Sequence, residues 1–307
     1  MSKSPLILEI KGNSLDDGPG IRSVVFIKGC PLSCTWCHNP ESKKAIAEIS
    51  FETKTCIGCN TCIETCTMDA LSRENPFYID RAVCNLCFEC IETCPSGALE
   101  QVGKEMSISE LVEKVIKDKP FFDTSKGGVT FSGGEPTIKM EFLAEVVKAF
   151  KEKGVHVLIE TCGQFNYERF NELIYPHVDL IYYDIKIMNG DDHKKYCGTS
   201  NETILENFKK LHRKFLDGGV EVLPRTPLIP NITDTEKNLA AIVSFYKENR
   251  VEKTQLMAYH PLWQEKNRKI GIKSSANSEE KMSEWLASER VKECEKIFSE
   301  AGILIEK

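Results

Sequence analysis

Three cysteines, Cys30, Cys34 and Cys37, form a C-x3-C-x2-C array directly after the apolar run Ser23-Val-Val-Phe-Ile27. Soft thiolates separated by gaps this short favour an iron-sulfur cluster. A four-iron cubane needs four ligands, so three thiolates leave one iron free. That iron can take water, substrate, or a small molecule carrying both an amine and a carboxylate. Eight more cysteines follow in two copies of one pattern, Cys56-x2-Cys59-x2-Cys62-x3-Cys66 and Cys84-x2-Cys87-x2-Cys90-x3-Cys94, offset by 28 residues. The second copy ends in Pro95 and is the bacterial two-cluster run, whose fourth cysteine ligates the other cluster. The first has Thr67 in place of that proline, which alters a turn and not the ligand count. The expected sets are Cys56, Cys59, Cys62 and Cys94 on one cluster, and Cys84, Cys87, Cys90 and Cys66 on the other. Four thiolates per cluster leave no open iron, which suits outer-sphere electron transfer. Zinc could occupy isolated C-x2-C pairs, but its sites usually use two separated pairs rather than a packed array.

Cysteine usage also bears on compartment. The chain has 307 residues, 14 of them cysteine, and eleven of these fall between Cys30 and Cys94. Disulfide scaffolds of such density belong to small secreted chains. This chain is long, and its first nine residues hold only the short apolar stretch Pro5-Leu-Ile-Leu8, without the pattern of an export signal. A reduced, cytoplasmic metalloprotein is the expectation. A hydrophobic content of 41% supports one large core and a small satellite domain. The formal net charge of -6 argues against broad nucleic-acid binding, which needs a basic footprint. No apolar run approaches the ~18 residues of a membrane span, so no membrane partner is expected.

A regular framework must position these thiols. Ile21–Ile27 reads as a first strand after the turn Asp16-Asp-Gly-Pro-Gly20. Helices are expected over Ser107–Lys119, Met140–Lys153, Tyr167–Leu173, Asn201–Phe215, Thr233–Lys247 and Glu280–Ala301. Strands are expected over Val129–Ser132, Val155–Ile159, Val178–Asp184, Val220–Arg225 and Thr254–Ala258. This makes about six β/α units, a parallel sheet covered by helices. The expected class is α/β, a partial (β/α)6 TIM-like barrel, with an open Rossmann-like sheet as the alternative. Residues 50–100 read as a ferredoxin-like insertion that draws its folding energy largely from metal coordination. Residues 1–49 and 101–307 are the two parts of the core it interrupts. Polar motifs stand at the C-terminal ends of nearly every strand, where parallel α/β folds place their active sites.

Those motifs carry a resemblance. Cys30-x3-Cys34-x-Trp36-Cys37 resembles the signature of the radical S-adenosylmethionine (SAM) superfamily. Further stretches are Asp17-Gly-Pro-Gly-Ile-Arg22, Cys34-Thr-Trp-Cys-His-Asn-Pro40, Ser132-Gly-Gly-Glu-Pro136, Glu160-Thr-Cys-Gly163, Tyr183-Asp-Ile-Lys-Ile-Met188 and Pro227-Leu-Ile-Pro230. Together they resemble the activating enzymes of glycyl-radical enzymes, over almost the whole chain. The resemblance implies a partial barrel of the radical SAM type with an inserted bacterial ferredoxin-like domain, and three [4Fe-4S] clusters. It implies that the SAM methionyl group chelates the open iron and that reductive cleavage gives methionine and a 5′-deoxyadenosyl radical. That radical would take a hydrogen from a glycine in the C-terminal loop of a large glycyl-radical enzyme. Flavodoxin or ferredoxin would supply electrons, and the protein alone would be monomeric. Activators with such an insertion resemble those serving choline lyase, glycerol dehydratase, hydroxyphenylacetate decarboxylase, arylsuccinate synthases and isethionate lyase.

The same resemblance assigns roles. Cys30, Cys34, Cys37 and Lys186 would be the catalytic set. Trp36, His38, Gly133, Gly134, Glu135, Glu160, Asp184, Lys186, Arg225 and His260 would hold the cofactor. Gly133 and Gly134 would permit close backbone approach to the ligand, and Glu135 would accept a hydrogen bond from the methionyl ammonium. Asp184 and Lys186 share one face of a strand end and would serve the methionyl carboxylate and the glycine loop. The planar fork of Arg225 suits a carboxylate. His260, in Ala258-Tyr-His-Pro rather than the commoner Pro-Tyr-His, would lie near the ribose or methionyl part. Glu160, where Asp is commoner, and Asp184 would bind a monovalent cation. The plain alternatives are an ordinary turn for Gly133-Gly-Glu-Pro136, an exposed ion pair for Asp184 and Lys186, a surface position for His260, and packing for Cys162, Cys197 and Cys294. Two other functions stay open at this point: a radical SAM enzyme acting on a peptide or small molecule, and an electron-transfer iron-sulfur protein.

Overall fold

The computed structural model describes residues 5–273 and 282–306. Its strands are β1 (Leu6–Ser14), β2 (Arg22–Ile27), β3 (Glu48–Phe51), β4 (Leu99–Val102), β5 (Lys104–Glu105), β6 (Gly128–Gly133), β7 (His156–Thr161), β8 (Leu180–Asp184), β9 (Glu221–Leu228), β10 (Lys253–Ala258) and β11 (Leu304–Glu306). Nine of them form one sheet in the order β11-β10-β9-β8-β7-β6-β2-β1-β5. The six strands from β2 through β6 to β10 are parallel neighbours, which is the six-unit architecture expected. Their near-continuous apolar sequences, such as Leu180-Ile-Tyr-Tyr in β8, fit a sheet covered on both faces. The sheet is the partial barrel expected.

Helices cover the outside because their apolar residues recur on one face. Ile108–Val115 starts at a capping box between Ser107 and Glu110 and buries Leu111, Val112 and Val115. Met140–Glu152 buries Leu143, Val146, Val147 and Phe150. Glu236–Glu248 is capped by Thr235, and Ser288–Glu300 closes the chain against it. The closing helix was expected from Glu280; Glu280 and Lys281 lie outside the described residues. Among the described residues no helix is long and apolar enough to cross a membrane.

Several elements escaped the sequence reading. Leu6–Ser14, to which no element was assigned there, is a strand antiparallel to β2. Its register slips at two places, and its residues from Glu9 to Asn13 are not buried, so it lacks clean alternation. Helices Lys119–Ser125, Gly190–Cys197 and Trp263–Lys269 are short and polar. β11 is three residues long and pairs with β10.

Between β2 and β6 the chain makes a separate layer. β3 and β4 pair antiparallel and bracket residues 52–98. A second core, distinct from that of the barrel, contains Ile49, Cys62, Leu71, Tyr78, Ile79, Cys90 and Leu99. The 28-residue sequence repeat is a structural repeat. Each copy starts a short helix, Thr61–Thr65 or Glu89–Glu92, after a residue in the left-handed region, Asn60 at φ 64° and Phe88 at φ 66°. This layer is tied to the barrel by the buried pair of Lys28 Nζ and Glu48 Oε2 at 2.7 Å, and Lys28 also donates to the Glu41 carbonyl. Helix Trp263–Lys269 holds it from the other side, through Lys269 to Glu52 and through its Lys269 carbonyl to Arg81.

The Asp17-Gly-Pro-Gly-Ile-Arg22 stretch lies at the strand starts, opposite the first three cysteines. Arg22 is fully buried; it donates to Thr130 Oγ1 at 2.6 Å and to the carbonyls of Val129 and Pro19. A Cβ at Gly20 would meet the backbone of Gly127 at 2.5 Å, and its φ is +71°. With Leu180, Tyr182 and Leu223 the motif lines a cavity of about 380 Å³ at the strand starts.

Candidate active site

The C-terminal ends of the parallel strands open into a cavity of about 220 Å³. The loop after β2 supplies Cys30, Cys34, Trp36, Cys37 and His38 to its wall. β6 supplies Ser132, Gly133 and then Gly134; β7 supplies Glu160 and Thr161; β8 leads to Asp184 and Lys186; β9 supplies Arg225. The cysteine loop is held in place by backbone bonds. Ser33 and Thr35 donate to the carbonyls of Cys197 and Tyr196, and Lys43 Nζ donates to the Cys34 carbonyl at 2.8 Å.

Four ionic side chains make one network. Arg225 Nη1 donates to Glu160 Oε1 at 2.6 Å, and its Nε and Nη2 donate to Asp184 Oδ1 at 3.3 and 3.2 Å. Lys186 Nζ donates to Asp184 Oδ2 at 2.7 Å, and Ser132 Oγ donates to Glu160 Oε2 at 2.6 Å. Register explains the reach. Arg225 pairs with Asp184 across β8 and β9, whereas Glu160 pairs with Tyr182. The guanidinium lies over the Tyr182 ring, 4.8 Å from its centroid, to meet the longer glutamate. It stands between the two carboxylates where the sequence reading put a monovalent cation.

Burial alone would raise the Asp184 carboxyl, but Lys186 and Arg225 outweigh it and hold the group below its ordinary value. Burial likewise works to lower Lys186 and Arg225. Asp184 overcomes it for the first, and Glu160 with Asp184 for the second, so both cations are raised. These shifts favour the charged forms of Asp184, Lys186 and Arg225. The exposed-pair alternative for Asp184 and Lys186 is excluded by their position in the cavity wall.

Other residues stand where the sequence reading did not foresee. Gly133 and Gly134 are needed first by the chain itself: a Cβ would meet the Ile27 carbonyl oxygen at 2.4 Å and the Gly29 carbonyl oxygen at 2.2 Å, respectively. Glu135 is buried and turns away from the cavity. Its carboxylate accepts from Thr137 N–H, Thr137 Oγ1, Thr161 Oγ1 and Cys162 N–H, which ties the end of β7 to the end of β6. His260 follows β10 and is half-buried. It stacks on His38 with ring centroids 4.1 Å apart and meets the cavity through that ring. Burial, then the neighbouring His260, lowers His38 to about 4. Sequence reasoning missed Ser132, although it lies in the quoted Gly-Gly-Glu-Pro stretch. It also missed Lys266, which donates to the His38 carbonyl and Asn39 Oδ1; no motif flags that lysine.

Two further thiols touch the cysteine loop. The neighbouring Cys197 thiol holds the Cys34 thiol down to about 7 against burial, and Cys34, then burial, pushes Cys197 far up. The neighbouring Cys30 thiol, then burial, pushes Cys162 well up. Burial pushes Cys37 up to about 12.

The insertion holds two smaller cavities. One is lined by Cys56, Cys59, Cys62 and Cys94, the other by Cys66, Cys84, Cys87 and Cys90. These are the two sets that the ferredoxin spacing gave, with the fourth cysteine of each run crossing to the other cavity. Among the described residues no three His, Cys, Asp or Glu side chains converge as they would on one ion.

Residues 24–242 match the family profile of the Radical SAM superfamily, and the chain belongs to it. Over 96% of both chains it is 38% identical to the trans-4-hydroxy-L-proline dehydratase activating enzyme of Clostridioides difficile. It is 39% identical to the isethionate sulfite-lyase activating enzyme of Nitratidesulfovibrio vulgaris over 85% of this chain and 86% of that one. It is 35% identical to the 4-hydroxyphenylacetate decarboxylase activating enzyme of C. difficile over 97% and 94%. Within the superfamily it is one of the activating enzymes of glycyl-radical enzymes. A radical SAM methyltransferase of Sphaerobacter thermophilus shares the fold, with a TM-score of 0.55 at 12% identity over 99% of this chain and 76% of that one. The reading as a plain electron carrier falls away with this membership.

Proposed function

We propose that the protein installs a radical on a glycine in the C-terminal loop of a large partner enzyme, with Cys30, Cys34 and Cys37 holding a [4Fe-4S] cluster whose open iron takes SAM. The observation that carries this reading is that three thiols, Cys30, Cys34 and Cys37, line one cavity together with Arg225, Lys186, Glu160 and Asp184. The donor set fits the group: three soft ligands on one wall and cations for a carboxylate opposite. When bound, the reduced cluster and SAM supply a 5′-deoxyadenosyl radical by reductive cleavage, and this chemistry is the cofactor's own.

The chain's residues bind and orient. Lys186 and Arg225 offer N–H donors to the methionyl carboxylate, which exchanges partners with Asp184 and Glu160. Gly133 and Gly134 present backbone to its ammonium. Trp36 and His38 wall the nucleoside side. A monovalent cation between Glu160 and Asp184 does not fit while Arg225 bridges them. The insertion, residues 50–100 between core parts 1–49 and 101–307, holds two saturated [4Fe-4S] clusters on the eight cysteines lining its two cavities. It suits electron delivery from flavodoxin or ferredoxin, in a cytoplasmic protein that is monomeric alone.

Relatives named for three different partners lie within 35–39% identity, so similarity does not choose among them. The test is anaerobic reconstitution with SAM, a reductant and each candidate partner, read by electron paramagnetic resonance. A glycyl doublet on one partner is expected. SAM cleavage without a doublet on any partner would refute the reading and favour a small-molecule or peptide substrate.

A further inference from the structure

Lys266 belongs to no motif in the sequence, yet its ammonium holds the turn after Cys37 at three points. Nζ donates to the His38 carbonyl at 3.1 Å and to Asn39 Oδ1 at 2.9 Å, and it pairs with Glu41 Oε1 at 3.1 Å. An ammonium has three N–H donors, so the turn takes them all. Among the described residues Glu41 has no other ion-pair partner, because Lys28 reaches its carbonyl and not its carboxylate. The helix that carries Lys266, Trp263–Lys269, is anchored one turn earlier. Trp263 is buried, and its Nε1 donates to the Tyr259 hydroxyl at 2.7 Å; that hydroxyl donates to the Met282 carbonyl at 2.7 Å. Residues three apart are neighbours on a helix, so the anchor fixes where Lys266 points. Rings hold the same turn. His38 stacks on His260, 4.1 Å between centroids, and packs against the Tyr259 ring at 5.7 Å. His38 lines the cavity, and its Nε2 is buried with no hydrogen-bond partner. A buried polar atom left open in a cavity wall calls for a functional account.

We propose that Lys266 is a positioning residue for SAM binding: by gripping the His38 carbonyl, Asn39 and Glu41 it fixes the turn after Cys37 and so presents the His38 ring, with its open Nε2, to the nucleoside end of SAM. The inference rests on the reading of the cavity given above. Lys266 touches no part of the cavity itself and acts through the turn. The turn's own bonds, from Ser42 N–H to the Asn39 carbonyl and from Lys43 N–H to the Pro40 carbonyl, close it only after His38. The setting of the His38 peptide is therefore left to Lys266. A binding group held in place beforehand loses less freedom when the ligand arrives, and that difference appears as affinity.

The test uses the full-length, cluster-loaded, reduced protein under argon. SAM is titrated, and binding is read as the change it causes in the electron paramagnetic resonance signal. Lys266→Met is expected to weaken SAM binding roughly tenfold, the scale of one hydrogen bond to a charged group, with bound iron at the wild-type value. Lys266→Arg keeps a charged donor and should recover most of the loss. Lys266→Met with Glu41→Gln removes the carboxylate that the single variant strands, and it should bind SAM as weakly as Lys266→Met. A second readout needs no SAM: in Lys266→Met, hydrogen exchange should rise across residues 38–43 and stay at the wild-type level in the parallel strands. An unchanged dissociation constant in Lys266→Met would overturn the proposal. So would full recovery in the double variant, which would assign the loss to the stranded Glu41 charge. Loss of one cluster's iron would overturn it as well, since Lys266 would then secure the cysteines rather than His38. Failure of the underlying reading has a different signature, a wild-type spectrum that SAM does not change, and the proposal would fall with it.

Discussion

Arg225→Gln removes the one guanidinium that joins β7, β8 and β9 above the barrel floor. Three N–H donors are lost, one to Glu160 and two to Asp184, from a side chain only 8% exposed. Glu160 keeps Ser132 and Asp184 keeps Lys186, so each carboxylate retains one partner. Two half-buried carboxylates are nevertheless left with one cation, Lys186, and that on Asp184 alone. Breaking a buried pair by removing one member costs about 3–5 kcal/mol. For a chain of this size that lowers the melting temperature by roughly 2 °C per kcal/mol, so about 6–10 °C in all. Thermal unfolding of the loaded protein under argon, followed by circular dichroism, measures it. Glu160→Gln in the same background removes the uncompensated charge and should recover part of the loss, because residues in one network are not additive. A single variant that melts within about 2 °C of wild type would refute the network as the organiser of the strand ends.

Three further outcomes are expected. Cys34→Ala should abolish SAM cleavage and lower bound iron by the content of one cluster, with the two insertion clusters retained; cleavage at the wild-type rate would refute the assignment of the first cluster. Five histidines, at positions 38, 156, 193, 212 and 260, have pKa values lowered in the fold, burial being the first cause for each. Unfolding lets them take up protons below about pH 6.5, so their neutral burial contributes full stability above that pH and loses it as pH falls. The melting temperature should drop steadily from pH 7 to pH 5.5, and a flat profile there would contradict the burial described. Lys28→Met strands Glu48 with only the half-exposed Lys44 as partner, at a cost of about 3–5 kcal/mol. Hydrogen exchange should then rise selectively across residues 48–102, and uniform protection would show that the pair does not couple the insertion to the barrel.

Much of this site was legible in the sequence because its chemistry is local. Cys30, Cys34 and Cys37 share one loop, and the exchange of Cys66 and Cys94 between cavities follows from a fixed spacing. The parallel strands were legible because two-sided burial makes them apolar throughout. β1 was not, since an irregular hairpin strand with half its residues exposed lacks a period. Glu135 shows the complementary difficulty: the motif marks it as special, but only the approach of β6 to β7 reveals that its carboxylate holds a turn. Arg225 bridging Glu160 and Asp184 depends on register across three strands, and no spacing within the chain encodes that. Cys162 and Cys197 are buried in the core as their apolar reading expected, but nothing in the sequence relates them to the loop of Cys30 and Cys34, more than a hundred residues away.

The most direct measurement follows one atom. The loaded protein is incubated anaerobically with SAM, a reductant and a candidate partner enzyme carrying glycine deuterated at Cα, and the 5′-deoxyadenosine is analysed by mass spectrometry. The account predicts one deuterium in the nucleoside for each glycyl radical formed on the correct partner. Cleavage of SAM with no deuterium transferred from any partner would contradict it.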